Sequence, residues 1–277
     1  MNVQIVIPIF KPQKLLCEKI IPHLLQQTVE SSLLLIDSSY EDIPILTAKI
    51  IKISKSEFNH SNTRNLALNY TAEFYMFMTQ DAMPYDKNLV EKLVQAFEDP
   101  NIVVAYARQI PYHNADSIEF FARSTNYPNI SKIKSKDDLT KMGIKTFFSS
   151  DSCAMYRSSY FKEVGGFKKD LNTNEDMEFA ARAIMNGKKI AYVADAKVYH
   201  SHKFTYIGIW KRYRAIGKFF AQNEWILEEV ALYSNAESTG IKQALAELKY
   251  LFHHSPLDIP RSIIFSFIKY IAFKSAF

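Results

Sequence analysis

What most limits the fold of this chain is the alternation in its first hundred residues. Short runs rich in Ile, Val, Leu and aromatics recur at residues 3–10, 33–37, 50–53 and 74–78, with helical patterns between them. Apolar runs of that length, without polar alternation, mark strands buried on both faces, and such strands pair mostly in parallel. Residues 14–27 place Leu15, Leu16, Ile20, Leu24 and Leu25 at helical spacing. A second helix is expected from near Thr63, with Leu66, Ala67 and Tyr70 on one face. A third covers residues 87–98, ahead of Pro100, and a strand follows at 102–107. Strand–helix–strand repetition implies right-handed crossovers and an α/β fold with a mostly parallel sheet flanked by helices. Ligands of such sheets sit beyond the carboxyl ends of the strands.

The middle of the chain, residues 112–150, is polar and lysine-rich at 132–145, and reads as a loop-rich insertion shaping one wall of a site. Order returns with a strand at 152–156, then Gly165-Gly166-Phe167, a helix over 175–186 ended by Gly187, and a strand at 189–193. Past His202 the pattern is helical, at 206–220, 225–233, 242–253 and 260–273. The expected division is a catalytic domain, 1–204, and a C-terminal helical region, 205–277, for acceptor, membrane or dimer contacts.

Several function classes fall away. At 277 residues the chain can bury a full core, and a net charge of +5 is too mild to require a nucleic-acid partner, so none is expected. Its two cysteines, Cys17 and Cys153, form neither a disulfide framework nor a zinc pattern, which fits a reducing cytosolic setting. The start of the chain reads as a strand rather than a signal peptide, and no run approaches the ~20 apolar residues that span a bilayer. No G-x-G-x-x-G follows the first strand, and G-x-x-x-x-G-K-[ST], H-E-x-x-H and G-x-S-x-G are all absent.

Several polar residues stand where chemistry could occur, each with a plain structural alternative. Asp37 ends the second strand, where it could accept from a nucleobase or ribose, or simply open a turn with Ser38 and Ser39. Asp81 follows the very apolar run 74–78, well placed for a hard cation that also takes phosphate oxygens, or for a turn ahead of Pro84. Glu175 and Asp176 open a helix, as capping acids or as a general base for an acceptor hydroxyl. His200 and His202, two apart after a strand, could share a face as metal ligands or phosphate contacts, or simply form a polar strand end. The most unusual segment runs from Phe58 to Asn65, seven polar side chains behind one aromatic. Arg64 near that helix start suggests an adjacent anion, or else a solvated side chain on a capped helix.

In order, these pieces resemble glycosyltransferase family 2, the inverting enzymes of GT-A fold, and within it the bacterial rhamnosyltransferase branch. The resemblance rests on Ile7-Pro8, Asp37-Ser38-Ser39, Phe58-Asn59-His60 through Thr63-Arg64-Asn65, Thr79-Gln80-Asp81-Ala82 and Arg108-Gln109. It continues in Gly165-Gly166-Phe167, Glu175-Asp176-Met177 and Tyr199-His200-Ser201-His202. It covers roughly residues 3–217. The wider family's D-x-D reads Thr79-Gln80-Asp81 here, without its first carboxylate, and that T-Q-D form is common in the rhamnosyltransferase branch.

The resemblance implies transfer of a sugar, with dTDP-β-L-rhamnose the expected donor, to a hydroxyl of a growing cell-surface polysaccharide or lipid-linked glycan. It implies a donor site of Pro8, Phe10, Asp37, His60, Arg64, Gln80, Asp81 and Arg108. Asp81, His200 and His202 would hold Mg²⁺ or Mn²⁺, and Asp176 would be the base, ahead of Glu175. The alternatives are the same chemistry with a UDP-hexose donor, or a catalytically silent membrane-surface protein that binds glycan or nucleotide. Retention of both Asp81 and Asp176 speaks against silence. Basic residues Lys203, Lys211, Arg212, Arg214 and Lys218 interleave with aromatics and isoleucines, and the last helix is apolar with a narrow polar stripe. The expected location is therefore cytoplasmic and peripheral, on the inner face of the bacterial cell membrane. Packing of these helices on the catalytic domain, or on a second copy as a homodimer, is the alternative.

Overall fold

A computed structural model describes residues 2–12, 14–39, 47–233 and 237–277. The chain divides into two compact units: residues 1–109, 129–136 and 147–200, and residues 110–128, 137–146 and 201–277.

The first unit is built on one sheet, whose strands among the described residues are β1 (Val3–Ile9), β2 (Ser31–Asp37), β3 (Lys49–Lys52), β4 (Phe74–Met78), β5 (Met83–Pro84), β6 (Ile102–Ile110), β7 (Lys132–Lys134), β8 (Cys153–Arg157) and β9 (Lys189–Tyr199). Their order is β3-β2-β1-β4-β8-β6-β9-β5, with β7 also on β9. The expected strands are present, and β3, β2, β1 and β4 are parallel as expected. The sheet as a whole is mixed rather than mostly parallel. β8 lies antiparallel between β4 and β6, so β6 runs with β4 as its crossover requires, without being its neighbour. β5 and β7 pair antiparallel with β9.

Period-2 alternation sorts the side chains onto two faces. Phe74, Met76 and Met78 of β4, with Cys153 and Met155 of β8, join the odd-numbered residues of β1 in one core. That core is closed by Leu16 and Ile20 from a π-helical turn (Leu16–Ile20), Ile21 and Leu24 of α1 (Ile21–Leu25), and Leu89, Val90 and Leu93 of α3 (Leu89–Gln95). The intervening residues, Tyr75 and Phe77 of β4 and Tyr156 of β8, face an aromatic cluster instead. It includes Phe161 of α6 (Ser158–Glu163), Phe167, and Phe179 of α7 (Glu175–Met185), with ring centroids 5.0 to 5.6 Å apart. Edge-to-face pairs of this kind add about 0.5–1.5 kcal/mol each beyond burial.

The helix expected from Thr63 begins three residues earlier, as α2 (His60–Asn65), because Asn59 caps it by accepting from the N–H groups of Ser61 and Asn62. It continues as a 3₁₀ turn, Leu66–Asn69. Residues 112–150 are not loop-rich: they hold α4 (Ser117–Asn126), β7 and α5 (Leu139–Met142). Asp116 caps α4 by accepting from the Glu119 N–H, and Glu119 pairs with Arg123 one turn on, so the polar composition masked an amphipathic helix.

The second unit is helical, with α4, α5, α8 (Tyr206–Gln222), α9 (Glu224–Ala231), α10 (Glu237–His254) and α11 (Ile259–Lys274). Segments 110–128 and 137–146, counted with the catalytic domain by sequence, belong to this unit. Ile118, Ile209, Leu251 and Phe265 form its core. Gly217 lets α8 approach α11 closely, since a Cβ there would stand 2.5 Å from the Phe273 carbonyl oxygen. Among the described residues no helix is long and apolar enough to cross a membrane.

Gly166 has φ +79°, and a Cβ would meet the Asn65 Oδ1 at 2.4 Å. Gly165 has φ +75° but open space around it. Gly166→Ala should therefore cost about 2–4 kcal/mol, strain plus collision, against ~1–2 for Gly165→Ala, read from urea midpoints. Equal losses would mean that Asn65 gives way freely.

Candidate active site

The carboxyl edge of the parallel strands gathers the polar residues. Asp37, at the end of β2, is buried, and its Oδ1 accepts from the Ser39 N–H (2.8 Å) and hydroxyl (2.5 Å). The turn-opening role is thus real. Its Oδ2, also buried, has no hydrogen-bond partner among the described residues, so one acceptor is left for a ligand. Pro8 lies in β1 beyond Val6, where the ladder to β4 stops. Phe10 is partly exposed, and its peptide is bonded in both directions by the Gln80 amide, N–H to Oε1 at 3.0 Å and Nε2 to the carbonyl at 3.1 Å. Gln80 therefore ties the end of β1 to the loop after β4.

The polar run before α2 is largely a clasp on the loop that leads to α7. Asn62 exchanges hydrogen bonds with Asp170, Asn65 with the Phe167 backbone, and Ser61 with the Leu171 backbone, while Asn59 donates to Asn172. Arg64 differs from the others. It lies in the last turn of α2, not near its start, and is buried. The anions beside it belong to the protein itself: Glu175 at 3.0 Å from Nη1 and Asp151 at 3.4 Å from Nε. His60 sits 3.1 Å from the same Nη1, and burial together with the Arg64 charge lowers the imidazole to about 4.

Around Arg64 stand three carboxyls and a phenol. Asp151, buried, accepts from the Tyr156 hydroxyl at 2.6 Å. Its own peptide N–H donates to Asp176 Oδ2 at 3.1 Å, and the Met177 N–H donates to Oδ1 at 2.7 Å. Burial and the Glu175 charge push the Asp176 carboxyl up to about 7, against the pull of those two N–H groups and Arg64. Burial, Asp176 and Glu175 likewise raise Asp151, with Arg64 and Tyr156 opposing. The acids are not conventional caps. Asn174, at the cap position of α7, is left-handed (φ 59°) and makes no side-chain cap, a strained backbone held beside a perturbed carboxyl. Asp176 remains partly exposed while Glu175 is buried. Of the pair, Asp176 can meet a substrate hydroxyl.

A second cluster lies at Asp81, whose side chain is 42% exposed, with Oδ1 3.4 Å from Nε2 of the buried His200. His200 Nδ1 is 2.8 Å from Gln109 Oε1, and Gln109 Nε2 donates to Ser150 Oγ at 2.8 Å. An amide oxygen only accepts, so this network puts a proton on Nδ1, and the neutral form of the ring then turns an Nε2 lone pair toward a carboxylate. Two electron-pair donors facing each other suit a cation between them. A metal-binding imidazole held by its other ring nitrogen is the usual supporting arrangement. Mg²⁺ or Mn²⁺ would fit an oxygen-plus-imidazole donor pair of this kind. His202 lies in the second unit, where its N–H donates to Glu119. Arg108 and Gln109 are consecutive in β6 and so point to opposite faces; it is Gln109 that reaches His200.

The profile of glycosyl transferase family group 2 matches residues 76–270. The chain belongs to that family. This glycosyltransferase is 40% identical to the O-antigen chain rhamnosyltransferase WbaN of Salmonella anatum, over 256 residues that make up 90% of this chain and 80% of that one. It is 36% identical to the O-antigen chain rhamnosyltransferase RfbN of Salmonella typhimurium, over 99% of this chain and 89% of that one. In fold it is similar to the mannosyltransferase PcManGT from Pyrobaculum calidifontis, solved with GDP-Man and Mn²⁺. The TM-score is 0.62 at 14% identity, over 97% of this chain and 86% of that one. The S. aureus TarS 1–349 structure matches with TM-score 0.56 at 14% identity, over 100% of this chain and 90% of that one. The GT-A fold of the sequence reading is thereby shown.

Sequence reasoning on this glycosyltransferase missed Asp151, Tyr156 and Ser150, and quoted Gln109 beside Arg108 without giving it a role. Asp151 is one acid in a serine-rich turn, and nothing local marks it as the partner of Arg64, 87 positions earlier. Gln109 had a usable signal, since the strand's alternation allows only one of Arg108 and Gln109 to face the site.

Gln109→Leu should free the His200 ring and weaken Mn²⁺ binding by about 10–100-fold while the protein stays folded. Titration calorimetry with Mn²⁺ on both proteins checks it. Equal affinities would show that the Gln109 contact does not orient the ring.

Proposed function

We propose that this glycosyltransferase is an inverting rhamnosyltransferase that moves L-rhamnose from dTDP-β-L-rhamnose to a hydroxyl of a growing cell-surface polysaccharide or lipid-linked glycan. The observation that carries the chemistry is the partly exposed Asp176, raised to about 7 on fixed N–H donors, in the same unit as the Asp81–His200 pair. The resemblance to two O-antigen chain rhamnosyltransferases over most of both chains supports the sugar and the acceptor class.

In this reading Asp176 takes the acceptor hydroxyl proton as that oxygen attacks the anomeric carbon. The new C–O bond forms opposite the breaking bond to the diphosphate, which leaves as dTDP with inverted configuration at the sugar. Asp37 meets the base or ribose through its open Oδ2, with Pro8 and Phe10 lining the donor cleft, Gln80 holding Phe10, and His60 and Arg108 on its margin. Asp81 and His200 would hold Mg²⁺ or Mn²⁺, which when bound neutralises charge on the leaving diphosphate.

A carboxyl near 7 is protonated, and no base, at lower pH. The kcat should therefore rise about tenfold per pH unit below ~6.5 and level above ~8, and Asp176→Asn should lower it ~10²–10⁴-fold with donor binding retained. Hydrolysis and transfer assays with dTDP-rhamnose, dTDP-glucose, UDP-glucose, UDP-galactose and GDP-mannose test the donor. Preference for a UDP sugar would move the assignment to a hexosyltransferase, and no turnover of any donor would leave a binding protein.

The second unit supports a peripheral place on the inner face of the cell membrane. Its helices only partly turn inward: Ile209, Phe219, Phe220 and Phe265 are buried, whereas Ile207 (68%), Phe267 (64%) and Tyr270 (64%) are exposed, as are Lys211, Arg212, Arg214 and Lys218. Apolar burial with attraction to anionic lipid, ~1 kcal/mol per basic residue, would hold such a surface at the headgroups. The protein should co-sediment with phosphatidylglycerol-containing vesicles and release as salt rises. Absence of binding at low salt would favour self-association through this face.

A further inference from the structure

We infer that Arg64 is a positioning residue for the base and not a ligand of the nucleotide-sugar: its buried guanidinium joins Glu175 on α7 to Asp151, whose peptide N–H holds the Asp176 carboxylate. This rests on Asp176 acting as the base.

Arg64 is already engaged within the protein, at Nη1 by hydrogen bonds and a carboxylate and at Nε by an ion-pair contact. Nη1 lies 3.0 Å from Glu175 Oε1, 3.1 Å from His60 Nδ1 and 3.3 Å from the His60 carbonyl, while Nε faces Asp151 Oδ2 at 3.4 Å. The side chain is 3% exposed, so a diphosphate could reach it only by displacing these carboxylates. A guanidinium keeps its charge at any working pH, and its fork fixes two carboxylates at once. One of them, Asp151, is anchored on its far side by the Tyr156 hydroxyl, inside the aromatic cluster. The other, Glu175, directly precedes Asp176. The orientation of the base is thus set from both sides by what Arg64 holds.

The charges that face Asp176 come from three places: Glu175 on α7, Arg64 and His60 on α2, and Asp151 just before β8 with Tyr156 within it. Arg64 is the one permanent cation among them. Without it the remaining carboxylates favour the protonated form of Asp176, so the base should be lost at neutral pH although its side chain is intact.

The test is the pH profile of kcat for Arg64→Gln and Arg64→Lys, with donor KM and calorimetric dTDP binding measured beside it. Arg64→Gln should move the rising limb alkaline by about one pH unit and lower kcat at pH 7 at least tenfold. Donor KM and dTDP affinity should stay within about threefold of the parent. Arg64→Lys, which keeps the charge and loses the fork, should lower kcat with the limb in place. A tenfold or larger rise in donor KM, or loss of dTDP binding, with the pH limb unmoved would overturn the inference and return Arg64 to the donor site. If Arg64→Gln proves unfolded by circular dichroism, the division between kcat and KM in Arg64→Lys decides. If Asp176→Asn is fully active the assignment of the base falls, whereas a dead Asp176→Asn with unmoved Arg64 variants sinks only the positioning role.

Discussion

A charged guanidinium in a protein interior obliges the surrounding chain to supply anions, and Arg64 places that demand at the centre of the first unit. Desolvating such a pair costs several kcal/mol per ion, and removing one partner of a buried pair commonly costs ~3–5 kcal/mol. Arg64 meets the demand with Glu175 and Asp151, residues from segments remote in sequence. The consequence is geometric. α2 has six residues, too few to persist alone, and it is held by side-chain bonds to the loop ahead of α7 and by this ion cluster. Gly166 is part of the same fit, since its missing Cβ leaves room for the Asn65 amide that grips Phe167.

The reversed strand β8 is what brings Asp151 to this edge. In a parallel sheet only the carboxyl ends of strands reach the ligand side, as β2 and β4 do with Asp37 and Asp81. β8 runs the other way, with Cys153 opposite Met78, so the residues just before its amino end arrive beside the carboxyl end of β4. β9 also runs antiparallel to β5, with Tyr199 opposite Met83, and it delivers His200 to the Asp81 side. The mixed half of the sheet therefore supplies the partners that complete what the parallel half begins.

Much of this was legible in the sequence, because strand identity depends on local composition and the four-to-eight-residue apolar runs are unambiguous. β1 to β4, α7 and the C-terminal helices fall where periodicity puts them. Pairing direction is not local. Whether 153–157 inserts between β4 and β6 depends on contacts across eighty residues, so a crossover pattern could not reveal the antiparallel half. The site divides in the same way. Asp37, Asp81 and Asp176 are readable because each ends a strand or opens a helix. Arg64 was legible as an unusual cation, but the source of its anions, Asp151 and Glu175, is set by tertiary packing. The amphipathic α4 was hidden because Glu119 and Arg123, its paired charges, raise the polarity of a window that also holds Ile118 and Phe121.

The two hydrogen bonds between the Gln80 amide and the Phe10 peptide bear on how the Thr79-Gln80-Asp81 segment can vary. The ladder between β1 and β4 stops at Val6 and Phe77, so this side chain acts as a rung where the backbones no longer meet. A rung of that kind needs one acceptor and one donor on the same group, which an amide provides and a carboxylate does not. Glutamate at position 80 would lose the bond to the Phe10 carbonyl and set a second negative charge beside Asp81. The end of β1 at Phe10 and the acid at Asp81 are therefore tied together, spaced by a single side chain in the way a keystone spaces two halves of an arch.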